Sequence, residues 1–424
     1  MTTTAARATD GIGPLTPDVS SPPAASAQRP TRERLLSLDV FRGITVAGML
    51  LVNDPGSWAH IFPPLEHAEW NGWTPTDLIF PFFLFIVGIT TELSLGARRA
   101  RGVSDGDLVK AILRRGAIIF LLGFLMSLFP FFQWGSTFGG IAHPTVWDRI
   151  AWRWEHVRIM GVLPRIGIAY ALGALLTLRT TLRQQIVMLA VILYGYWVAM
   201  TLLPVPGTGL LGDWMLDTHG GNLAAWVDRA VLGMNHIWVG GVVFDPEGPL
   251  STIPAVGTVI LGVIAGRWIA SPRPLLERIA GLFAAGSLAA MVGMMWNWSF
   301  PINKSLWTSS YVMFTAGLAC LTLATCMWLI DIHRATGWTK PFVVFGMNPI
   351  VAFVGSGVMA RLIYTLLKVT WNGRSVPVQQ AFHEAVFASW LPPRVASLCF
   401  ALTFVLFWYA ILLVLHRKRI YVRV

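Results

Sequence analysis

Residues 66–81 read EHAEWNGWTPTDLIFP, which places His67 between Glu66 and Glu69 and sets Asp77 ten residues further on, at the mouth of an apolar run. An imidazole gains and loses a proton near neutral pH, so His67 can act as a general acid or base or carry an acyl group. A loop histidine flanked by glutamates is also commonly just a solvated residue, and on the residues alone both readings stand. Pro81 follows Asp77 by four. Proline removes the helix hydrogen bond to the carbonyl of Asp77 and commonly kinks a membrane helix, leaving backbone polar groups free to line a cavity. Trp70 and Trp73 suit an interfacial aromatic belt.

Other polar residues sit inside or beside apolar stretches, where a charge costs several kcal/mol unless paired or hydrated. SLDVFRGITVAGMLLVND carries Asp39 and Arg42 at i, i+3, a spacing at which they neutralise each other on one helix face. Asn53 lies fourteen residues beyond Asp39, about 21 Å along a continuous helix and close to the opposite surface. FDPEG supplies Asp245 and Glu247, able to grip an ammonium and hydroxyls or to shape a Pro/Gly turn. PINKSLW supplies Asn303 and Lys304, and Asn348 precedes Pro349; buried residues of these types are often interhelical glue. Arg114 and Arg115 read first as positive anchors beside a span.

The elements that must position these groups are membrane helices. Hydrophobic residues make up 55% of 424, charged residues 12%, and mean hydropathy is +0.61, whereas soluble domains are roughly 25% charged. The expected fold class is an all-α polytopic membrane protein. Ten apolar segments are long enough to cross about 30 Å of hydrocarbon: roughly 38–54, 75–95, 112–132, 160–178, 185–203, 252–270, 279–298, 307–330, 341–360 and 395–415. Placing the N-terminus inside puts 22 of the 32 Lys and Arg on or near the cytoplasmic side and 10 on the other, the partition expected of an N-in, C-in chain. The net charge of +11 is then a topology signal, and no nucleic-acid-binding pattern accompanies it. Residues 1–30, rich in Ala, Thr, Ser and Pro, are expected to be a disordered cytoplasmic tail, with the membrane domain spanning 31–424. Cys320, Cys326 and Cys399 lie in apolar runs without a CxxC pair, so no metal site is expected.

SLDVFRG, HAEWNGWTPTDLIFPFFLFIVG, GVLPRIGIAY, FDPEGPLSTIPAVGTVILGVIAG, PINKSLWTSSYVMFTAGLA and FGMNPIVAF resemble, in order, the blocks of the heparan-α-glucosaminide N-acetyltransferase family and its bacterial relatives. The resemblance runs from about residue 33 to the C-terminus. It implies a transmembrane acyltransferase domain that moves the acetyl group of cytoplasmic acetyl-CoA to an amino sugar on the far side. Lysosomal members carry an additional N-terminal region and one extra span, so the expected setting is a bacterial inner membrane, in contact with lipid and as a homodimer. The family's active histidine maps onto His67, and the asparagine closing its first span onto Asn53. His67 would then remove the amine proton or accept the acetyl group, Asn53 would orient the ring or donate to the oxyanion, and Asp77 would steady the imidazole or the ammonium. Arg42 with its partner Asp39, and Arg114 and Arg115, become candidates for holding CoA. Asp245, Glu247, Asn303, Lys304 and Asn348 become candidates for the acceptor side. The rival class is an amino-sugar transporter, which would place its ligands near the bilayer centre in related repeats, and no convincing repeat is present.

Overall fold

The computed structural model describes residues 35–134, 140–141 and 143–422, so the tail expected at 1–30 lies outside the described residues. Among the described residues fourteen α-helices follow one another: α1 Leu36–Asn53, α2 Ile79–Arg99, α3 Asp105–Leu128, α4 Val146–Glu155, α5 Val162–Thr177, α6 Leu182–Leu202, α7 Leu223–Leu232, α8 Pro249–Ile269, α9 Leu275–Trp296, α10 Ser309–Met327, α11 Lys340–Met347, α12 Pro349–Arg361, α13 Val378–His383 and α14 Pro393–Arg417. Nine helical stretches among the described residues are long and apolar enough to cross a membrane. The tenth expected span, α5, is apolar but only 16 residues long. The chain is an all-α polytopic membrane protein.

Close approach between helices is made by glycine. A Cβ on Gly88 of α2 would lie 2.2 Å from the Val259 carbonyl oxygen of α8, and one on Gly262 of α8 would lie 2.2 Å from that of Phe85. Small residues at this crossing let two backbones touch, which is how helices gain van der Waals contact where lipid offers no hydrophobic drive. Gly43 of α1 meets the Phe342 backbone of α11 in the same way. At one end of the bundle Glu92 of α2 pairs with Arg99 and Arg267, while Arg99 and Arg267 donate to the carbonyls of Leu178 and of Thr177 and Thr180 at the close of α5.

Two features depart from the sequence expectation. The span expected at 341–360 is broken at Asn348, whose φ of −131° and ψ of 54° separate α11 from α12; the membrane-length stretch is Pro349–Leu366. Proline at 349 cannot continue the α11 ladder, and Asn348 caps the break by donating to the Ile420 carbonyl and accepting from Val422 N–H, both 3.0 Å. This bond holds the residues after α14 beside α11. Since α11 packs on the first turns of α1, the start of α1 and the finish of α14 share one end of the bundle. The second departure is a hairpin, β1 Lys368–Trp371 paired antiparallel with β2 Arg374–Pro377, turned by Asn372 and Gly373 at positive φ.

Candidate active site

The site is assembled where α2 begins. Thr74 and Asp77 form a capping box ahead of the helix, and Asp77 Oδ2 accepts the backbone N–H groups of Ala68 and Thr74, each at 3.0 Å. Its other oxygen, Oδ1, lies 2.7 Å from His67 Nδ1. The Asp77 side chain is 1% exposed and the His67 side chain 48%, so a buried carboxylate holds an imidazole that faces out. The carbonyl freed by Pro81 also finds a partner: Tyr311 of α10 donates its hydroxyl to Asp77 O at 2.5 Å. Pro81 lies in the first turn of α2, so it starts the helix where a kink was expected, and Asp77 is fixed by backbone as well as by side chain.

Lys304 reaches the same ring from the loop between α9 and α10. Its Nζ lies 2.9 Å from His67 Nδ1, 3.1 Å from Nε2 and 3.5 Å from Asp77 Oδ1. The turn that presents it is built by Asn303, fully buried, whose Oδ1 accepts Leu306 N–H at 2.9 Å and whose Nδ2 donates to Asn71 Oδ1 at 3.1 Å. Asn71 in turn donates to Asp217 at 2.6 Å, and Trp70 donates to the Leu216 carbonyl at 2.9 Å. The loop carrying His67 is thus tied to the long loop between α6 and α7. Burial lowers the Lys304 pKa below the usual ammonium range, and the charges of Asp77 and Glu247, which oppose this, do not cancel it.

Asp245 and Glu247 border this cluster but are already engaged. Arg158 grips Asp245 through both oxygens, at 2.8 and 2.6 Å, and bonds Glu247 as well. Asp245 also accepts the N–H groups of Trp238 and Glu247, and its side chain is closed to solvent. Burial pushes the Glu247 pKa up, but Arg158, Arg165 and Lys304 outweigh it and hold the carboxyl below its ordinary range. Arg165 of α5 is fully buried; it lies over the Trp307 ring at 5.0 Å and donates to Ser251. Asp228 accepts the Asp245 N–H at 2.9 Å, and burial pushes its carboxyl up to about 7.

The expected residues are distributed unevenly. His67, Asp77 and Lys304 meet directly, Asn303 holds the turn that presents Lys304, and Glu247 acts on Lys304 by its charge while sharing Arg158 with Asp245. Asn53 is the exposed last residue of α1 and makes no side-chain hydrogen bond among the described residues. Asp39 and Arg42 pair at 3.6 Å toward the other end of α1, where Arg42 also donates to the Gly346 carbonyl at 3.1 Å. Asn348 belongs there too, holding the chain after α14, and so stands away from the acceptor residues with which it was grouped. Arg114 is exposed on α3, while Arg115 lies over the Tyr170 ring at 4.9 Å with its Nε buried and unpartnered. Asn71, Arg158, Arg165 and Tyr311 were not singled out from the sequence. An arginine three residues after α4 carries no local mark of its carboxylate partners 87 and 89 residues away.

Fold and site together define a multi-pass helical membrane protein with an imidazole, a carboxylate and an amine joined at one end of the bundle. The chain is 32% identical to the human heparan-alpha-glucosaminide N-acetyltransferase over 372 residues, covering 76% of this chain and 52% of the human protein. It is 31% identical to the mouse heparan-alpha-glucosaminide N-acetyltransferase over 393 residues, covering 81% and 57%. Over the matched region the chain belongs to the heparan-alpha-glucosaminide N-acetyltransferase family. It spans about half the length of these curated relatives. No family model matches it.

Proposed function

We propose that the chain is a transmembrane N-acetyltransferase that moves the acetyl group of cytoplasmic acetyl-CoA to the amine of a glucosamine-type sugar on the periplasmic side of a bacterial inner membrane. The observation that carries this reading is the His67–Asp77 contact. With Nδ1–H donated to a buried carboxylate, Nε2 keeps its lone pair for the incoming amine or for the acetyl group itself. The half-exposed ring suits an acceptor arriving from water, and family membership supplies the reaction class. Asn53, at the close of α1, is the proposed oxyanion donor.

Acetyl-CoA supplies the activated acyl group. Arg42, held by Asp39, and Arg114 and Arg115 are the residues proposed to hold it, and the buried, unpartnered Nε of Arg115 is a donor in want of an acceptor. Glu247 is proposed to face the acceptor, with Asp245 accepting its backbone N–H, and Asn303 is proposed to shape the turn beside the acceptor. A transporter reading gains no observation of its own: the polar cluster sits at the mouth of α2.

The test is acetylation of glucosamine by protein reconstituted in sealed vesicles, with labelled acetyl-CoA confined to the face of Lys418. Labelled N-acetylglucosamine on the opposite face supports the proposal. Translocation of unmodified sugar without acetylation contradicts it.

A further inference from the structure

Lys304 is closer to the imidazole than an acceptor ligand needs to be. Its Nζ lies 2.9 Å from Nδ1 and 3.1 Å from Nε2, the ring nitrogen left free by Asp77, and 3.5 Å from the carboxylate oxygen. Its turn is closed by hydrogen bonds from Trp307 N–H to the Lys304 carbonyl and from Thr308 N–H to the Asn303 carbonyl, both backbone and short in span. Asn303 brackets that turn and ties it to Asn71. These bonds fix the Lys304 backbone, and its side chain extends from that fixed point to the His67 ring and Asp77.

We propose that Lys304 is a proton carrier in the transfer, taking a proton from the acceptor's ammonium and delivering it to the sulfur that leaves. The inference rests on the acetyltransferase reading above and goes beyond it by giving the two protonation problems of the reaction a single side chain. A sugar ammonium has no lone pair, and an alkyl thiolate is a poor leaving group, so one proton must be removed at the start and one supplied at the end. Neutral Lys304 takes a proton from the ammonium and becomes charged. The freed amine attacks the thioester carbon; the N–C bond forms, the C–S bond breaks, and its electron pair goes to sulfur. Lys304 returns its proton to sulfur, giving CoA thiol and neutral lysine. The extra proton on the new amide nitrogen passes to His67 Nε2 and then to water. Ammonium and acetyl-CoA thus become amide, CoA thiol and one released proton.

The groups facing Lys304 from each element suit this traffic. His67 and Asp77 approach from the loop ahead of α2, Glu247 from ahead of α8 and Arg165 from α5. Two acids favour the charged form, whereas burial and the Arg165 charge oppose it, and the balance lowers the pKa. A lysine poised this way changes charge more readily than an exposed one.

Two variants test the proposal, both in the full chain in detergent. Lys304→Arg keeps a permanent positive charge, and Lys304→Met keeps the stem without a nitrogen. Each is expected to lower kcat for acetyl-CoA and glucosamine by roughly a hundredfold or more with KM little changed. The loss should shrink to within roughly tenfold at alkaline pH with an aryl thioester donor, where the amine is already neutral and the thiolate leaves unaided. Near wild-type kcat in both variants, or a loss indifferent to donor and pH, would overturn it. If wild-type protein fails to acetylate glucosamine, the acetyltransferase reading itself fails; if wild type acetylates and the variants match it, only the role of Lys304 does.

Discussion

Asp77 and His67 are joined by a contact of 2.7 Å between a carboxylate that is 1% exposed and an imidazole that is 48% exposed. The carboxylate's remaining oxygen is committed to the amides of Ala68 and Thr74, so it cannot rotate away from the ring without breaking the cap of α2. Asp77→Asn preserves size but presents an amide that can turn its NH2 toward the ring and select the wrong tautomer. Turnover is expected to fall roughly 10²- to 10⁴-fold, by analogy with the asparagine variant of a hydrolase triad, with acetyl-CoA affinity retained. Steady-state kinetics with a separate binding measurement checks this, and turnover within about threefold of wild type would remove Asp77 from ring orientation.

Asn53 differs from Asp77 in having no internal bonds to lose. Asn53→Ala should therefore leave the unfolding temperature unchanged while turnover drops roughly ten- to a thousandfold, the range for removing one oxyanion donor. Unchanged turnover at saturating substrate would reduce Asn53 to a helix terminus.

Arg158 has a structural duty. Removing it takes from Asp245, closed to solvent, its two-pronged cation and from Glu247 its hydrogen-bonded one, and breaking a buried pair from one side costs roughly 3–5 kcal/mol. Arg158→Met is expected to lower denaturant or thermal stability by about that much. Arg158→Lys should recover little, since an ammonium cannot make the two-pronged bond. A stability equal to wild type in both variants would show the network to be dispensable.

How much of this was legible in the chain depends on the range of the interaction. Spans were readable because hydropathy over about twenty residues is a local property, and their bounds agree within a few residues for most helices. The exceptions are 112–132, where α3 starts at Asp105, and 341–360, where Asn348–Pro349 marked a break whose consequence, a shifted span, depends on the residues after α14. The hairpin at 368–377 had its mark in Asn372–Gly373 between alternating residues, a turn signal easily overlooked beside apolar helices. In the site, His67 and Asp77 are ten residues apart and stand together in one motif, whereas Lys304 meets them across 237 residues and Arg158 meets Asp245 across 87. Composition and spacing nominate such residues but contain nothing that pairs them.

Two buried acids outside the spans set a pH dependence. Burial pushes Asp54 and Asp228 up to about 7 from 3.8. A folded-state pKa above the unfolded value means that the folded form binds the extra proton, so the stabilisation is complete below about 4 and is lost as pH rises through about 7. Over that window these two groups alone should make stability fall with increasing pH. Asp54→Asn, which cannot ionise, should flatten the fall between pH 5 and 8. Unfolding midpoints of wild type and variant across that window measure it, and parallel curves would contradict the assignment.

The central claim is that the His67 ring performs the transfer, and acetylation of glucosamine by purified His67→Ala protein tests it most directly. Because Asp77 retains its two amide bonds and the residues proposed for acetyl-CoA lie elsewhere, the variant should fold and bind the donor. Acetyl transfer is predicted to vanish in protein with wild-type thermal stability and acetyl-CoA affinity. Transfer at a rate near wild type would contradict the account and leave residues 66–81 as an interfacial anchor.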